Sequence, residues 1–170
     1  MYLTKGIVAW LLISSLIVIF DASYVLLRPE SMRGGSLFQY FSPYELYCKF
    51  DTLYCHDSDR FVVIQSWLNL MEITMAFISL AMYAFGKQST QLLGSILAVI
   101  VSAFTFWKTV IYIWYADAYL THDAHTFTTE SIYVFYFPTA FWIVFPLYVL
   151  WVVPRRIVKH TLPVPKVKLP

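Results

Sequence analysis

The chain has 170 residues, of which 59% are hydrophobic and only 13% charged, and its formal net charge is +2. Soluble domains carry about 25% charged residues, so this composition argues against a water-soluble protein. The small net charge gives no support to a nucleic-acid partner. Four long apolar runs account for the hydrophobic excess and predict an all-α integral membrane protein, a four-helix bundle surrounded by membrane lipid.

The first predicted span covers 6–27, and Asp21 is its only charge. The apolar run is longer than the core of a signal peptide and lacks a small-residue cleavage site, so we interpret it as a membrane span. A polar loop follows, and its aromatic stretch 37–50 is expected at the membrane interface, where tyrosine is favoured. The loop holds the only two cysteines, Cys48 and Cys55, which form either a disulfide or two free thiols.

The second predicted span, 61–85, carries a carboxyl group near its middle. Its polar residues recur at helical spacing and therefore share one face, namely Gln65, Asn69, Glu72 and Ser79. The short connection 86–90 makes the third span, 91–115, its antiparallel neighbour. Lys108 is the only charge of that span, within a second polar stripe formed by Ser102, Thr105, Thr109 and Tyr112.

The fourth predicted span is 131–153, and Tyr136, Thr139 and Trp142 could line a shared cavity with the polar stripes. The preceding acidic loop holds His122 and His125, a weak metal-site pattern that we interpret as ordinary loop residues, so no metal or other cofactor is expected. Residues 1–160 are expected to form one transmembrane domain, and 161–170 form a basic tail.

The distribution of charge predicts the orientation of the spans. The termini and the 86–90 connection carry seven basic residues and no acidic ones, whereas the two other loops carry four basic and eight acidic residues. Both termini are therefore expected in the cytosol. The last five residues read KVKLP, which fits a dilysine retrieval signal and predicts the endoplasmic-reticulum membrane.

Depth along the helices, at about 1.5 Å per residue, suggests which buried charges meet. Asp21 and Lys108 both lie about 10 Å from the predicted luminal ends of their spans, and such a pair should neutralise itself in hydrocarbon. The alternative is that one of them donates a proton or anchors a ligand. Glu72 lies deeper and is expected either to bond Thr105 or Ser102 across the helix interface, or to exchange a proton or bind a cationic ligand.

Trp142 lies at the depth of Glu72, about 16 Å from the end of its span. An indole face stabilises a cation placed on it, although packing within the bundle is the commoner use of a tryptophan. The two carboxyl groups and the facing aromatic rings together predict a cavity for an apolar molecule that is cationic or becomes cationic.

Three stretches carry a resemblance to a known family. They are IFDASYVL at 19–26; YCK at 47–49 with DSDRF at 57–61 and MEIT at 71–74; and FYFPTAFWIVFP at 135–146. In order and spacing, including the twelve residues from Arg60 to Glu72, they resemble the emopamil-binding protein family, which shares the EXPERA domain. That family contains a sterol Δ8–Δ7 isomerase and the sigma-2 receptor.

The resemblance implies an endoplasmic-reticulum bundle with a sterol-sized cavity, and it raises the possibility of a homodimer. By that resemblance Asp21 and Glu72 would be an acid–base pair for sterol or terpenoid double-bond isomerisation, with Trp142 facing the carbocation. Ligand-binding roles are expected for Asn69, Thr105, Lys108, Tyr112, Tyr136 and Thr139.

The chain departs from the isomerase pattern at two positions, where Ile17 replaces a histidine and Thr139 an asparagine. A lysine beside Asp21 would also keep that carboxylate ionised. A second reading is therefore a non-catalytic protein of the sigma-2 type that binds sterols or cationic amphiphiles.

Overall fold

The structure, a computed structural model, describes residues 2–56, 59–120 and 129–161, with side chains of the middle range described up to Ala116. Its four long helical segments are long and apolar enough to cross a membrane, as the sequence predicts, and the described residues contain no strand. The helices in chain order are α1 (Lys5–Leu26), α2 (Phe38–Phe41), α3 (Tyr44–Tyr47), α4 (Arg60–Phe85), α5 (Gln88–Leu120), α6 (Thr129–Ser131) and α7 (Phe137–Thr161). A 3₁₀ turn covers Thr52–Cys55, and a π-helical segment, Ile132–Tyr136, joins α6 to α7.

Side-chain caps define where two of the long helices begin. The Thr4 hydroxyl accepts a hydrogen bond from the Ile7 amide, and the Asp59 carboxylate accepts one from the Val62 amide. Each cap satisfies one amide of a first helical turn, where no intrahelical acceptor exists. The π-helical segment ends at Tyr136, two residues before Pro138. The missing N–H of that proline interrupts the regular hydrogen-bond ladder.

Two predicted boundaries differ from the structure. Helix α5 begins at Gln88, so that only Gly86 and Lys87 separate it from α4, and it continues past the expected end at 115 to Leu120. Consequently the first residues of the expected acidic loop, 117–120, are helical. His122, His125 and the tail from 162 onward, including the dilysine pattern, lie outside the described residues.

Helix α4 packs against α1 and α5, and α5 packs against α4 and α7. The order of the long helices across the bundle is therefore α1, α4, α5, α7. The α4–α5 pair is close because Gly94 has no side chain: a Cβ there would lie 2.8 Å from the Ser79 carbonyl oxygen. Ser79 donates a 2.7 Å hydrogen bond to the Gly94 carbonyl. Small residues at such crossings allow helix backbones to approach in membranes.

The end of the bundle that holds the N-terminus is closed by a core to which all four long helices contribute. It consists of Leu3, Ile7, Leu11, Tyr83, Ala98, Val149 and Val153. Just inside it, the Trp10 ring of α1 stacks on Phe145 of α7 at 4.4 Å. Helices α1 and α7 therefore meet here through side chains.

The loop between α1 and α4 folds over the opposite end of the bundle. Its aromatic residues pack with the ends of α1, α4 and α5 in a second core of Tyr24, Val25, Phe41, Leu53, Tyr54, Val62 and Ala116. Most aromatic residues of the stretch expected at the membrane interface are thus buried or partly buried against the protein, although Tyr40 remains 63% exposed.

Two features fasten this loop. Cys48 and Cys55 are joined by a disulfide, which selects one of the two alternatives that the sequence leaves open. The Arg28 guanidinium, at the end of α1, donates hydrogen bonds to three loop carbonyls, those of Leu53, Tyr54 and His56. The loop is therefore a fixed cap and not a loose connection.

Candidate functional site

A cavity of about 710 Å³ lies between the helices beneath the loop. Ligand pockets typically measure about 300–1,000 Å³, so this one has the size for a drug-like or sterol-like molecule. Its lining includes six of the nine predicted site residues, namely Asp21, Asn69, Lys108, Tyr112, Thr139 and Trp142.

The cavity has two chemically different walls. Polar side chains of α4 and α5 line its inner wall, and they are Gln65, Asn69, Lys108, Thr109 and Tyr112. The wall formed by α1, the π-helical segment and α7 is mainly apolar, with Asp21 and Thr139 as its polar residues, and its apolar residues are Leu16, Ile17, Val18, Phe20, Val134, Pro138 and Trp142. An amphipathic molecule with a polar group near Asp21 or the α4–α5 wall and an apolar body would match this lining.

The cavity opens sideways between α1 and α7. Leu16 and Ile17 line it, yet they are 57% and 49% exposed, so the cavity reaches the outer surface of the bundle at these residues. Because α1 is an apolar span, this opening faces the surroundings that a bilayer would supply. A lipophilic molecule could enter from the membrane without crossing water.

Asp21 is the one acidic side chain among the described residues that line the cavity. Its Oδ1 accepts a 2.9 Å hydrogen bond from the Tyr44 phenol, and its Oδ2 accepts one of 3.0 Å from Tyr54. Burial raises the pKa of both phenols, so they remain protonated donors. The loop therefore holds the carboxyl group of Asp21 in place at the cavity wall.

Lys108 pairs with Glu72 and not with Asp21, which corrects the pairing expected from depth. The Lys108 Nζ lies 2.8 Å from Glu72 Oε2, and the two side chains are only 13% and 12% exposed. Lys108 also donates a hydrogen bond to the Asn69 side-chain oxygen. The described residues contain no direct Asp21–Lys108 contact, because α5 packs beside α4 and α7, whereas α1 packs beside α4.

Of the two hydroxyls expected as partners of Glu72, those of Thr105 and Ser102, the Thr105 hydroxyl is the one that bonds it, donating to Oε2 at 2.9 Å. Glu72 and Thr105 do not line the large cavity. They border a separate space of about 30 Å³, together with Ser102 and Trp142. This space is large enough for one water molecule, and the buried Ser102 hydroxyl has no hydrogen-bond partner within the described residues.

The two remaining aromatic predictions have different outcomes. Trp142 borders both spaces, and its ring lies edge-on to Trp10 at 5.6 Å. Tyr136 is in the π-helical segment, where it contacts Phe135 at 5.0 Å, and it does not line either space. The ligand-binding role expected for Tyr136 therefore stays a prediction.

Four loop residues at the site were missed from the sequence. Tyr44, Tyr47 and Tyr54 line the cavity, and Asp51 lies directly behind it, completely buried, with its Oδ2 accepting a hydrogen bond from Tyr112. The available signal was a loop rich in tyrosine, closed by two cysteines, that contains an acidic residue between them.

Burial raises the pKa of Asp51 to about 6, although hydrogen bonds from Tyr112, Tyr47 and the Leu53 amide act in the opposite direction. The nearby charge of Asp21 adds to the rise. Asp51 therefore changes charge at a higher pH than an ordinary aspartate does.

Comparison with known proteins adds no family assignment. Neither a family model, nor a curated protein, nor a solved structure matches the chain. The site must therefore be interpreted from its own geometry and chemistry.

Proposed function

We propose that the protein binds an apolar, sterol-sized or terpenoid molecule that carries a cationic or hydrogen-bond-donating group. The observation that carries this proposal is the position of Asp21, a carboxyl group held by two phenols at the wall of a laterally open apolar cavity. The resemblance to the EXPERA family, which includes sterol-binding proteins, supports the same class of ligand.

The charges of the site favour binding over catalysis. Glu72, the second carboxyl group expected in an acid–base pair, is occupied by Lys108 and Thr105 and does not line the large cavity. A carboxylate in an ion pair is a weak proton donor. Asp21 has no cationic partner within 4 Å among the described residues, so it is the group available to a ligand.

The test uses purified protein in lipid nanodiscs and an amine-substituted sterol as the probe. We expect saturable binding to the wild type and a loss of at least about tenfold in affinity for Asp21→Asn, which corresponds to about 1.4 kcal/mol. Glu45→Gln is the matched control, because Glu45 pairs with Arg33 on the surface. Equal affinities of wild type and Asp21→Asn would contradict the proposal.

Double-bond isomerisation is the second candidate, favoured by the presence of Trp142 and Asp21 in one cavity. One group would protonate a ring double bond, the indole would face the resulting carbocation, and a second group would remove a different proton. Asp21 is one such group, and Lys108, held by Glu72, is the other that reaches the cavity.

Sterol analysis of a Δ8–Δ7-isomerase-deficient yeast strain expressing this chain tests the second candidate. Restored Δ7 sterols would establish the isomerase, and their loss in Asp21→Asn would assign the proton transfer. If the protein is present in the membrane and no Δ7 sterol forms, sterol Δ8–Δ7 isomerisation is rejected while ligand binding stands.

The charge distribution supports an orientation with both termini in the cytosol, and the C-terminal KVKLP supports the endoplasmic reticulum. Glycosylation acceptors engineered into the 28–56 loop and at the C-terminus test the orientation. Modification of the loop site alone is expected, and modification of the C-terminal site would reverse the assignment.

A further inference from the structure

The end of the bundle that holds the N-terminus is basic and has no acidic residue to balance its charge. Its basic residues within the described chain are Lys5, Lys87, Arg155, Arg156 and Lys159. The segments that form this end, 2–15, 80–95 and 145–161, contain neither aspartate nor glutamate. The positive charges are therefore available to an anion from outside these segments.

The outward face of α7 leads from apolar residues to one of these charges. Its exposed residues recur at helical spacing, and they are Val144, Leu147, Tyr148, Trp151, Arg155 and Val158. Trp151 is 64% exposed and lies about 3 Å along the helix from 153, the predicted end of the span. Tryptophan is favoured at the level of the lipid headgroups, so this face of α7 passes from hydrocarbon to headgroups at Trp151.

Arg155 is stacked on Trp151 and is therefore held at the same level. The guanidinium carbon lies 3.1 Å from the centre of the indole ring, a distance at which only the flat face of the guanidinium fits against the ring. Side chains of a helix lean toward its N-terminus, and α7 enters the membrane in that direction. The charge is thus placed beside the headgroups and not extended away from them into water.

The stacking leaves the N–H groups of Arg155 free for another partner. These five donors lie in the plane of the guanidinium and point outward from its edge. Within the described chain the guanidinium forms no ion pair and no hydrogen bond, and its contact is the one with the indole. The anionic acceptors at headgroup level are lipid phosphates, which arginine binds through two parallel hydrogen bonds.

The neighbouring charges favour an anionic lipid over a zwitterionic one. Arg156 follows Arg155 directly, and Lys159 lies one turn further along α7. Both add positive potential near the phosphate position. A zwitterionic headgroup would bring an ammonium group of its own, and the segments at this end offer it no carboxylate. Charge complementarity therefore selects a headgroup whose net charge is negative.

We propose that Trp151 and Arg155 form a binding site for the phosphate of an anionic phospholipid. The guanidinium, held flat on the indole, donates two hydrogen bonds to the phosphate oxygens, and Arg156 and Lys159 supply further positive charge. None of these residues lines the large cavity. The site therefore goes beyond the proposed function and does not depend on it.

The test measures the binding of single lipids to the purified, full-length protein by native mass spectrometry. The two probes are phosphatidylserine and phosphatidylcholine with identical acyl chains. We expect the wild type to bind phosphatidylserine at least about tenfold more tightly, because only that lipid has a net negative charge. Arg155→Gln should lower this preference by at least about fivefold, which is the effect of roughly one basic residue at an anionic surface.

Three further variants separate a positioned guanidinium from net charge. Trp151→Leu keeps every charge and should lower the preference about as much as Arg155→Gln does. Arg155→Lys keeps the charge without the planar fork and should restore only part of the preference. Lys87→Gln is the matched control, because it removes one exposed charge from the same end of the bundle, and it should keep the wild-type preference. All these positions are exposed, so the unfolding midpoints should stay at the wild-type value.

Each contrary outcome overturns the proposal. Equal binding of the two lipids by the wild type would mean that this end does not select anionic headgroups. A loss in Lys87→Gln as large as in Arg155→Gln would reduce the effect to general attraction between charges. An unchanged preference in Trp151→Leu would show that the indole does not position the guanidinium.

A soluble headgroup distinguishes a lipid from a free phosphate compound. Glycerophosphoserine carries the same phosphate and serine as phosphatidylserine but has no acyl chains. We expect it to leave bound phosphatidylserine in place at equal concentration, because α7 offers apolar residues such as Tyr148 and Val144 to the acyl chains next to Trp151. Displacement by glycerophosphoserine at that concentration would assign the site to a soluble anion and overturn the lipid proposal. Sterol binding is not involved in any of these measurements.

Discussion

The ion pair of Glu72 and Lys108 joins α4 to α5, two helices that we treat as membrane-spanning. Each charge is buried there and is compensated by the other. Lys108 has three donors, and the structure assigns two of them, to Glu72 and to Asn69. Thr105 adds a further hydrogen bond to the same carboxylate oxygen. Removing one charge of such a pair leaves the other buried without compensation, whereas removing both charges is often tolerated.

We therefore expect Lys108→Met to lower the free energy of unfolding by roughly 3–5 kcal/mol. The double variant Lys108→Met/Glu72→Gln should recover most of that loss, because no charge is then left buried. Denaturant unfolding in a mild detergent, followed by tryptophan fluorescence, measures both. A double variant as unstable as the single one would show that the lysine acts through its packing and not through its charge.

Asp51 makes the stability of the protein depend on pH, and the burial of its carboxyl group sets the sign of that dependence. Its pKa is raised to about 6 in the folded protein, compared with about 3.9 in an unfolded chain. Because the folded state binds the proton more tightly, the contribution of Asp51 to stability is fully present below about pH 4 and is lost as the pH rises through 6. The groups that face Asp51 are the phenols of Tyr47, Tyr54 and Tyr112 and the carboxyl of Asp21.

Replacing Asp51 by Asn should remove this part of the pH dependence. Between pH 4.5 and 7 the wild type is expected to lose about 2 kcal/mol that the Asn variant retains. Thermal unfolding midpoints at several pH values provide the comparison. Parallel profiles for the two proteins would mean that other groups cause the dependence.

At the scale of single residues, the sequence predicted which polar residues lie inside the bundle better than it predicted which residues they bond. The bond from Thr105 to Glu72 followed from a shared helix interface, whereas Lys108 was assigned to Asp21 from depth alone. Depth does not include the angular position of a helix in the bundle. The short α4–α5 connection contains that information, because residues equally far from it face each other, as Ser79 and Gly94 do.

At the scale of elements, the long loop between α1 and α4 completes the cavity. The disulfide and Arg28 fix the loop, which then positions Tyr44 and Tyr54 on Asp21. Long apolar runs predicted the four spans because lipid contact imposes a strong composition on them. Irregular backbone has no such signature, so the covering function of the loop could not be predicted.

Arg28→Gln should loosen this loop without unfolding the bundle. The variant loses the guanidinium bonds to the Leu53, Tyr54 and His56 carbonyls. Backbone amides of 44–56 are expected to exchange hydrogen at least about tenfold faster, which corresponds to about 1.4 kcal/mol of local stability. The control is Arg33→Gln, since Arg33 forms only an exposed ion pair with Glu45, and such pairs contribute little. Similar exchange in both variants would reject the role of Arg28.

At the scale of the whole molecule, the four helices form a bundle that is tight at one end and open at one side. Close packing of α4 on α5 and the core near the N-terminus keep the polar groups inside. Among the described residues, the aromatic ring contacts between α1 and α7 are those of Trp10 with Trp142 and with Phe145. Beyond that point residues of both helices line the cavity.

This arrangement predicts that the route into the cavity can be blocked from the lipid side. Ile17 lines the cavity and is 49% exposed, whereas Ile13, one turn earlier on the same helix, is 54% exposed and lines neither cavity. Ile17→Trp should slow the association of a photoreactive sterol by about tenfold or more, because the indole fills the opening, while Ile13→Trp leaves the rate unchanged. Both variants should keep the wild-type unfolding midpoint, since an apolar residue facing lipid replaces another. Equal slowing by the two substitutions would indicate a general effect of tryptophan at the lipid surface, and no slowing by either would indicate that ligands reach the cavity from the loop end.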